Sequence, residues 1–249
     1  MKSTCYWMMA AMMMMSWSVT ACKSDTTSPE ALNDRATAEE TKEIVEQPAS
    51  EDAVKEEAGE PGAAANAADE AMKAEAKVGE PAPDFTLMDH TGKEVTLSSF
   101  KGKPVVLEWT NPTCPYVVRH YTDKTMSKTH DASGGTEEVV WLAIDSSHFV
   151  TAEKAAEWRE KEGFEHPVLM DASGDVGRMY KASTTPHMFV IDKEGKLVYS
   201  GAIDDNDRGD KKPEEVTNYV GDALKALKEG KPVDVAETKS YGCSVKYKS

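Results

Sequence analysis

The stretch Val105-Val-Leu-Glu-Trp-Thr-Asn-Pro-Thr-Cys114-Pro-Tyr-Val-Val-Arg-His120 constrains the fold of this chain more than any other. An apolar, β-type run enters a short turn at Pro112, a cysteine follows, and an amphipathic helical pattern starts directly after it. A thiol is therefore expected at the first turn of a helix, at the carboxyl end of a central strand. Unpaired backbone N–H groups and the positive end of the helix dipole stabilise a thiolate there and lower its pKa. The thiolate is the reactive form, so Cys114 is the expected seat of thiol chemistry. A lone cysteine also packs well as a small hydrophobe; Pro115 and the helix start favour the reactive reading.

The charge of the 249 residues, formally −15, is unevenly spread. Between Lys23 and Glu80 there are sixteen Asp/Glu against six Lys/Arg, a net of −10, many Ala and no aromatic residue. Such a stretch cannot bury enough apolar surface to offset chain entropy. Residues 22–77 therefore read as a disordered acidic tether, with transient helix at most near Ala68 to Lys77. Residues 78–249, roughly 170 of them, suit one compact domain. No basic cluster points to nucleic acid.

Residues 1–21 read as a targeting segment. Lys2 supplies a positive start, and Tyr6 to Trp17 is an uncharged, Met-rich run too short to span a bilayer. Val19-Thr-Ala-Cys22 resembles a bacterial lipobox, which implies lipidation at Cys22; an ordinary signal peptide with a chance cysteine is the alternative. Lys23 follows, where Asp would mark retention in an inner membrane. The resemblance thus implies a lipid-anchored protein of the bacterial cell envelope, on the outer membrane, facing the periplasm. A flexible tether of fifty-odd residues reaches about 40 Å. Cys5 leaves with the signal peptide and Cys22 carries lipid, so Cys114 and Cys243 remain as thiols in an oxidising compartment.

The domain reads as alternating strands and helices. A hairpin, Phe85 to Met88 with Glu94 to Leu97, turns at Asp89-His-Thr-Gly92. Val105 to Trp109 and Val139 to Ile144 are buried strands, and Pro115 to about Lys128 is one helix. A helix runs from Thr151 to Gly163, Val168 to Met170 is a short strand, and Gly174 to Tyr180 a short helix. Met188 to Ile191 and Lys196 to Ala202 form a second hairpin. Pro213 to Lys228 is the last helix, with Val216, Val220, Ala223, Leu224 and Leu227 along one face. This order gives an α/β fold with a mixed central β-sheet flanked by helices and an N-terminal β-hairpin extension.

Gly79-Glu-Pro-Ala-Pro-Asp-Phe85, the Cys114-Pro helix start, Thr184-Thr-Pro-His-Met-Phe-Val-Ile-Asp192, Gly201-Ala-Ile-Asp-Asp-Asn206 and Tyr241-Gly-Cys-Ser-Val-Lys-Tyr247 together resemble the redoxin, or peroxiredoxin-like, branch of the thioredoxin superfamily. The resemblance runs from about residue 79 to the carboxyl end and implies a thioredoxin-like fold. It implies that Pro186 is a cis-proline which, with Thr185, shapes a groove beside Cys114. It also places Glu108, six residues before Cys114, where thioredoxins carry a buried acid for proton transfer. A carboxylate inside Val-Val-Leu-Glu-Trp titrates upward, which suits a general acid/base; a salt-bridged or edge-exposed Glu is the alternative. No cofactor or metal is implied.

The departures are specific. Val117 stands where a dithiol motif has its second cysteine, which excludes a local two-thiol reaction. Asn111 and Leu107 stand where peroxidatic sites have Thr and Pro, so peroxide reduction lacks its usual donors. Cys243 lies in a polar tail that reaches about 45 Å if extended, which makes it a candidate resolving thiol. His187 is a candidate to tune the thiol, or simply packs. His120 is expected at the surface, and a metal site from Cys114, His120 and His187 is the remote alternative. The leading expectation is a thiol-disulfide oxidoreductase acting through Cys114, with a thiol or disulfide protein, or a small thiol electron donor, as partner. A thiol peroxidase and a non-catalytic binding lipoprotein are the rivals.

Overall fold

The computed structural model describes residues 74–248. The targeting segment, Cys22 and the acidic tether up to residue 73 lie outside the described residues. Seven strands form one sheet: β1 Thr86–Asp89, β2 Glu94–Thr96, β3 Val105–Trp109, β4 Val140–Asp145, β5 Val168–Met170, β7 His187–Ile191 and β8 Leu197–Gly201. Their spatial order is β2-β1-β5-β4-β3-β7-β8. The β3–β4 and β4–β5 pairs are parallel and the others antiparallel, so the sheet is mixed and the N-terminal hairpin extends it beyond β5. β6 Thr184–Thr185 pairs instead with β9 Cys243–Ser244 near the carboxyl terminus.

Central strands covered on both faces are mostly apolar, and this is why β3 and β4 read as near-continuous apolar runs, interrupted by the buried Glu108 in β3 and ended by the buried Asp145 in β4. Val105, Leu107 and Trp109 enter one layer with Phe85, Leu142, Ile144, Tyr180 and Phe189. Val106 enters the other with Trp141, Ala143, Met188, Val190 and the helices. Those helices are α1 Pro115–Thr122, α2 Thr125–Ala132, α4 Ala152–Glu162 and α6 Tyr219–Lys228; the short turn α3 Gly135–Glu138 buries no residue, and α5 Asp175–Met179 joins the Trp109 layer.

Two expected helices are shorter than their patterns. The helix expected from Pro115 to Lys128 is two, broken at Lys124, whose backbone is left-handed at φ 57°. The break resets the helical phase: Tyr121 and Met126, five residues apart, both reach the core, which an unbroken helix would not allow. The last helix starts at Tyr219, not Pro213. Residues Pro213–Glu215 form a separate 3-10 turn, and Asn218 caps α6 by accepting from Gly221 N at 2.8 Å. Asn218 Nδ2 also donates to Thr129 Oγ1 at 2.6 Å, tying α6 to α2.

Beyond α6 the tail is pinned before it reaches the site. Ser200 N donates to Ala236 O, Thr238 N to Ser200 O, and the Thr238 hydroxyl meets Tyr199 Oη at 2.6 Å and accepts from Ala202 N at 2.9 Å. Because Asn218 both caps and cross-links, Asn218→Ala is expected to destabilise the domain by about 1–2 kcal/mol, read as a lower urea midpoint with an unchanged slope; an unaltered midpoint refutes the capping role.

Candidate active site

Cys114 is the N-cap residue of α1, with Pro115 at the first helical position. Its turn is shaped by Asn111, whose carboxamide oxygen accepts from Thr113 N and Thr113 Oγ1, both at 2.7 Å. Asn111 Nδ2 donates to Ser147 Oγ at 2.8 Å, fixing the turn to the loop after β4. The thiol does not cap the helix. Its Sγ–H donates across to the backbone carbonyl of Thr185 at 2.9 Å, and the side chain is only 2% exposed.

The Thr185–Pro186 peptide is cis. Thr185 is laddered antiparallel to Cys243, and Thr184 to Ser244. Thus Cys114, Thr185, Pro186 and Cys243 meet at one point, and both cysteines are free thiols. Burial pushes the Cys114 thiol up, but hydrogen bonding from the Thr185 side chain, the Val117 N–H and Cys243 outweighs it, and the net direction is down. The Thr185 hydroxyl is buried with no other partner, so it is free to serve a thiolate. Burial and the adjoining Cys114 push Cys243 the other way, up to about 11. The two sulfurs thus differ in acidity: Cys114 ionises the more readily and Cys243 the less.

Glu108 is fully buried on the α1 side of β3. Its Oε2 accepts from Trp141 Nε1 at 2.9 Å and Tyr121 Oη at 3.0 Å, while Oε1 has no partner. Burial dominates over these bonds and raises its pKa to about 7. It makes no hydrogen bond to Cys114; its carboxyl lies bonded to Tyr121 of the helix that Cys114 caps.

His120, expected at the surface, is 2% exposed. Its position on α1 turns it inward, onto Tyr241 Oη at 3.0 Å, and burial lowers its pKa to about 4. His187 does not reach the thiol. It alternates with Met188 along β7 and lies in the opposite layer against Phe189, with Nδ1 accepting from Ser183 N at 3.3 Å. Cys114, His120 and His187 are therefore not brought together. Asp204, inside the acidic turn at Gly201 to Asn206, is 3% exposed and accepts from Tyr241 Oη, so this turn walls the site. Tyr241 was not singled out from the sequence; its spacing two residues before Cys243 was the available signal.

A Redoxin family model matches residues 77–220, more than half of the chain. The chain belongs to the Redoxin family. Thiol-disulfide oxidoreductase ResA of Bacillus subtilis is 30% identical over 120 residues, covering 48% of this chain and 64% of that protein, so the match spans just under two thirds of this relative. A crystal structure of a hypothetical protein from Sinorhizobium meliloti shares 30% identity and a TM-score of 0.60, covering 70% of this chain and 96% of that one. An uncharacterized conserved protein from Geobacillus kaustophilus gives 29% identity and 0.60, covering 69% and 93%. The expected thioredoxin-like fold is thereby established for this redoxin.

The buried acid makes stability depend on pH. An unfolded glutamate loses its proton near 4.5, whereas Glu108 in the fold keeps its proton up to about 7. Between these values the folded state binds the extra proton, so stability falls as pH rises through that window. Glu108→Gln cannot titrate. Its stability relative to the unaltered protein should rise by on the order of 3 kcal/mol from about pH 4 to about pH 8, measured by urea unfolding. A difference independent of pH would contradict the assignment.

Proposed function

We propose that this redoxin is a thiol-disulfide oxidoreductase in which Cys114 attacks and Cys243 resolves. The observation that carries the reading is the shared contact at Thr185, whose carbonyl receives the Cys114 thiol while its backbone is paired with Cys243. A Cys114 thiolate attacks one sulfur of a disulfide substrate. The substrate S–S bond breaks, one sulfur departs as a thiolate, and the other stays bonded to Cys114. Cys243 then attacks Sγ of Cys114, forms the Cys114–Cys243 bond and releases the second sulfur as a thiol. An external dithiol returns the protein to its reduced form. Glu108 supplies or stores the proton as the thiolate forms and is consumed.

The names of the Bacillus relatives support the same class of reaction. Asn111 commits its carboxamide to the turn and to Ser147, so it is not a free donor for a peroxide. We place the domain on a lipid anchor at Cys22, facing an oxidising compartment across its acidic tether; the lipobox-like Val19-Thr-Ala-Cys22 supports this location.

Cys114→Ser is expected to abolish disulfide turnover with the fold intact, and Cys243→Ser to accumulate a mixed disulfide at Cys114, seen by intact mass under non-reducing conditions. Retained turnover in Cys114→Ser would sink the reading. The pH dependence of iodoacetamide trapping separates the two thiols: Cys114 should reach half-maximal rate below the ordinary thiol value of about 8.5, and Cys243 well above it. Equal midpoints would remove the distinction between attacking and resolving sulfur.

A further inference from the structure

The tail that carries Cys243 is fastened more firmly than a two-residue strand can account for. β9 contributes only the Thr184↔Ser244 and Thr185↔Cys243 pairs, and so short a ladder is marginal alone. Two aromatic anchors flank it. On the far side, Tyr247 Oη donates to Ala182 O at 2.7 Å, Arg178 lies 5.1 Å above its ring, and a Cβ at Gly174 or Gly177 would collide with that ring. On the near side stands Tyr241. Its ring centroid is 6.0 Å from that of Tyr116, and the Arg119 guanidinium carbon is 5.9 Å from it. Its hydroxyl donates to Asp204 Oδ1 and stands 3.0 Å from His120 Nε2.

The hydroxyl has one proton, and Asp204 takes it. The imidazole must then donate through Nε2–H, an assignment made from the network, and burial keeps it neutral. Only Gly242 separates this anchor from Cys243. It sits at φ 138°, and a Cβ there would collide with the Thr185 carbonyl, so the link is close-fitting and leaves the sulfur little freedom. Cys114 is 2% exposed, and Tyr241 and Cys243 of the docked tail pack against the cluster that buries it. A disulfide on an incoming protein cannot reach Sγ in that arrangement, whereas Cys243 stands beside it.

We propose that Tyr241 is the latch of a C-terminal strap: docked between His120 and Asp204 it positions Cys243 to resolve Cys114, and undocked it opens Cys114 to the incoming disulfide. This rests on the two-cysteine reading above. Attack on the external disulfide belongs to the open strap, and formation of the Cys114–Cys243 bond, with release of the substrate thiol, belongs to the closed one. Tyr241 is a positioning residue: its hydroxyl is held by Asp204 and His120 and makes no hydrogen bond to either sulfur.

The test uses the full chain with Tyr241→Phe, which keeps the ring and removes the hydroxyl, and Asp204→Ala, which removes the acceptor, as a second route to the same loss. Two rates are measured: iodoacetamide trapping of reduced Cys114, and closure of Cys114–Cys243 from a glutathione mixed disulfide at Cys114. A lost buried hydrogen bond corresponds to about tenfold in an equilibrium. Trapping should therefore become about tenfold faster and closure about tenfold slower, in both variants. Opposite signs are what a merely structural role would not give. Rates that stay within about twofold, or that move in the same direction, overturn the latch. If the unaltered protein forms no glutathione adduct at Cys114, the oxidoreductase reading itself fails, and the trapping rate still decides whether Tyr241 holds the strap.

Discussion

The carbonyl oxygen of Thr185 is the group around which the site is arranged. It accepts the Cys114 thiol proton, its residue pairs with Cys243, and it leaves no room for a side chain at Gly242. A backbone oxygen is a useful fixed point because its position is set by the fold and not by a rotamer. It receives a hydrogen bond only from the protonated sulfur. When Cys114 ionises, that bond is lost and the Thr185 hydroxyl, the Val117 N–H and Cys243 become the stabilising groups. The same residue thus serves both protonation states, through its carbonyl in one and its hydroxyl in the other.

Two neighbouring residues of α1 build similar chains in opposite directions. Tyr121 donates to Glu108 and contacts His166 Nε2 at 3.1 Å, inside the core. His120 contacts Tyr241, which donates to Asp204, across the boundary between the domain and its tail. In both chains a neutral, buried histidine, a tyrosine hydroxyl and a carboxyl are linked by hydrogen bonds, with Glu108 Oε1 left unpaired in the first. The first chain leaves a carboxyl that titrates near neutrality. The second fixes the carboxyl-terminal tail to the domain, and Arg119 reinforces it by donating to Asn206 O at 2.8 Å and Asp207 O at 3.1 Å.

Much of the scaffold could be read from residue order. Near-continuous apolar runs gave β3, β4 and β7, because strands covered on both faces are mostly apolar; Glu108, Asp145 and His187 are the buried polar residues among them. The helix break at Lys124 was less legible: it is marked only by a five-residue step between Tyr121 and Met126, one residue more than the three- or four-residue spacing of a helix face. The burial of His120 was not legible at all. A histidine six residues past the helix start can face water or core, and what decides is a tyrosine 121 residues away.

The amino-acid sequence by itself determined the mixed α/β scaffold and the placement of one thiol at the start of α1, because strand burial, proline and helix entry act over short distances along the chain. It also offered Cys243 as a second thiol without saying where that residue goes. Only the tertiary structure decided that the tail returns along β8, crosses beneath Thr185 and seats Tyr241 between His120 and Asp204. These contacts join residues far apart in sequence, and their geometry depends on close packing and on backbone angles at Gly242 that no local pattern encodes.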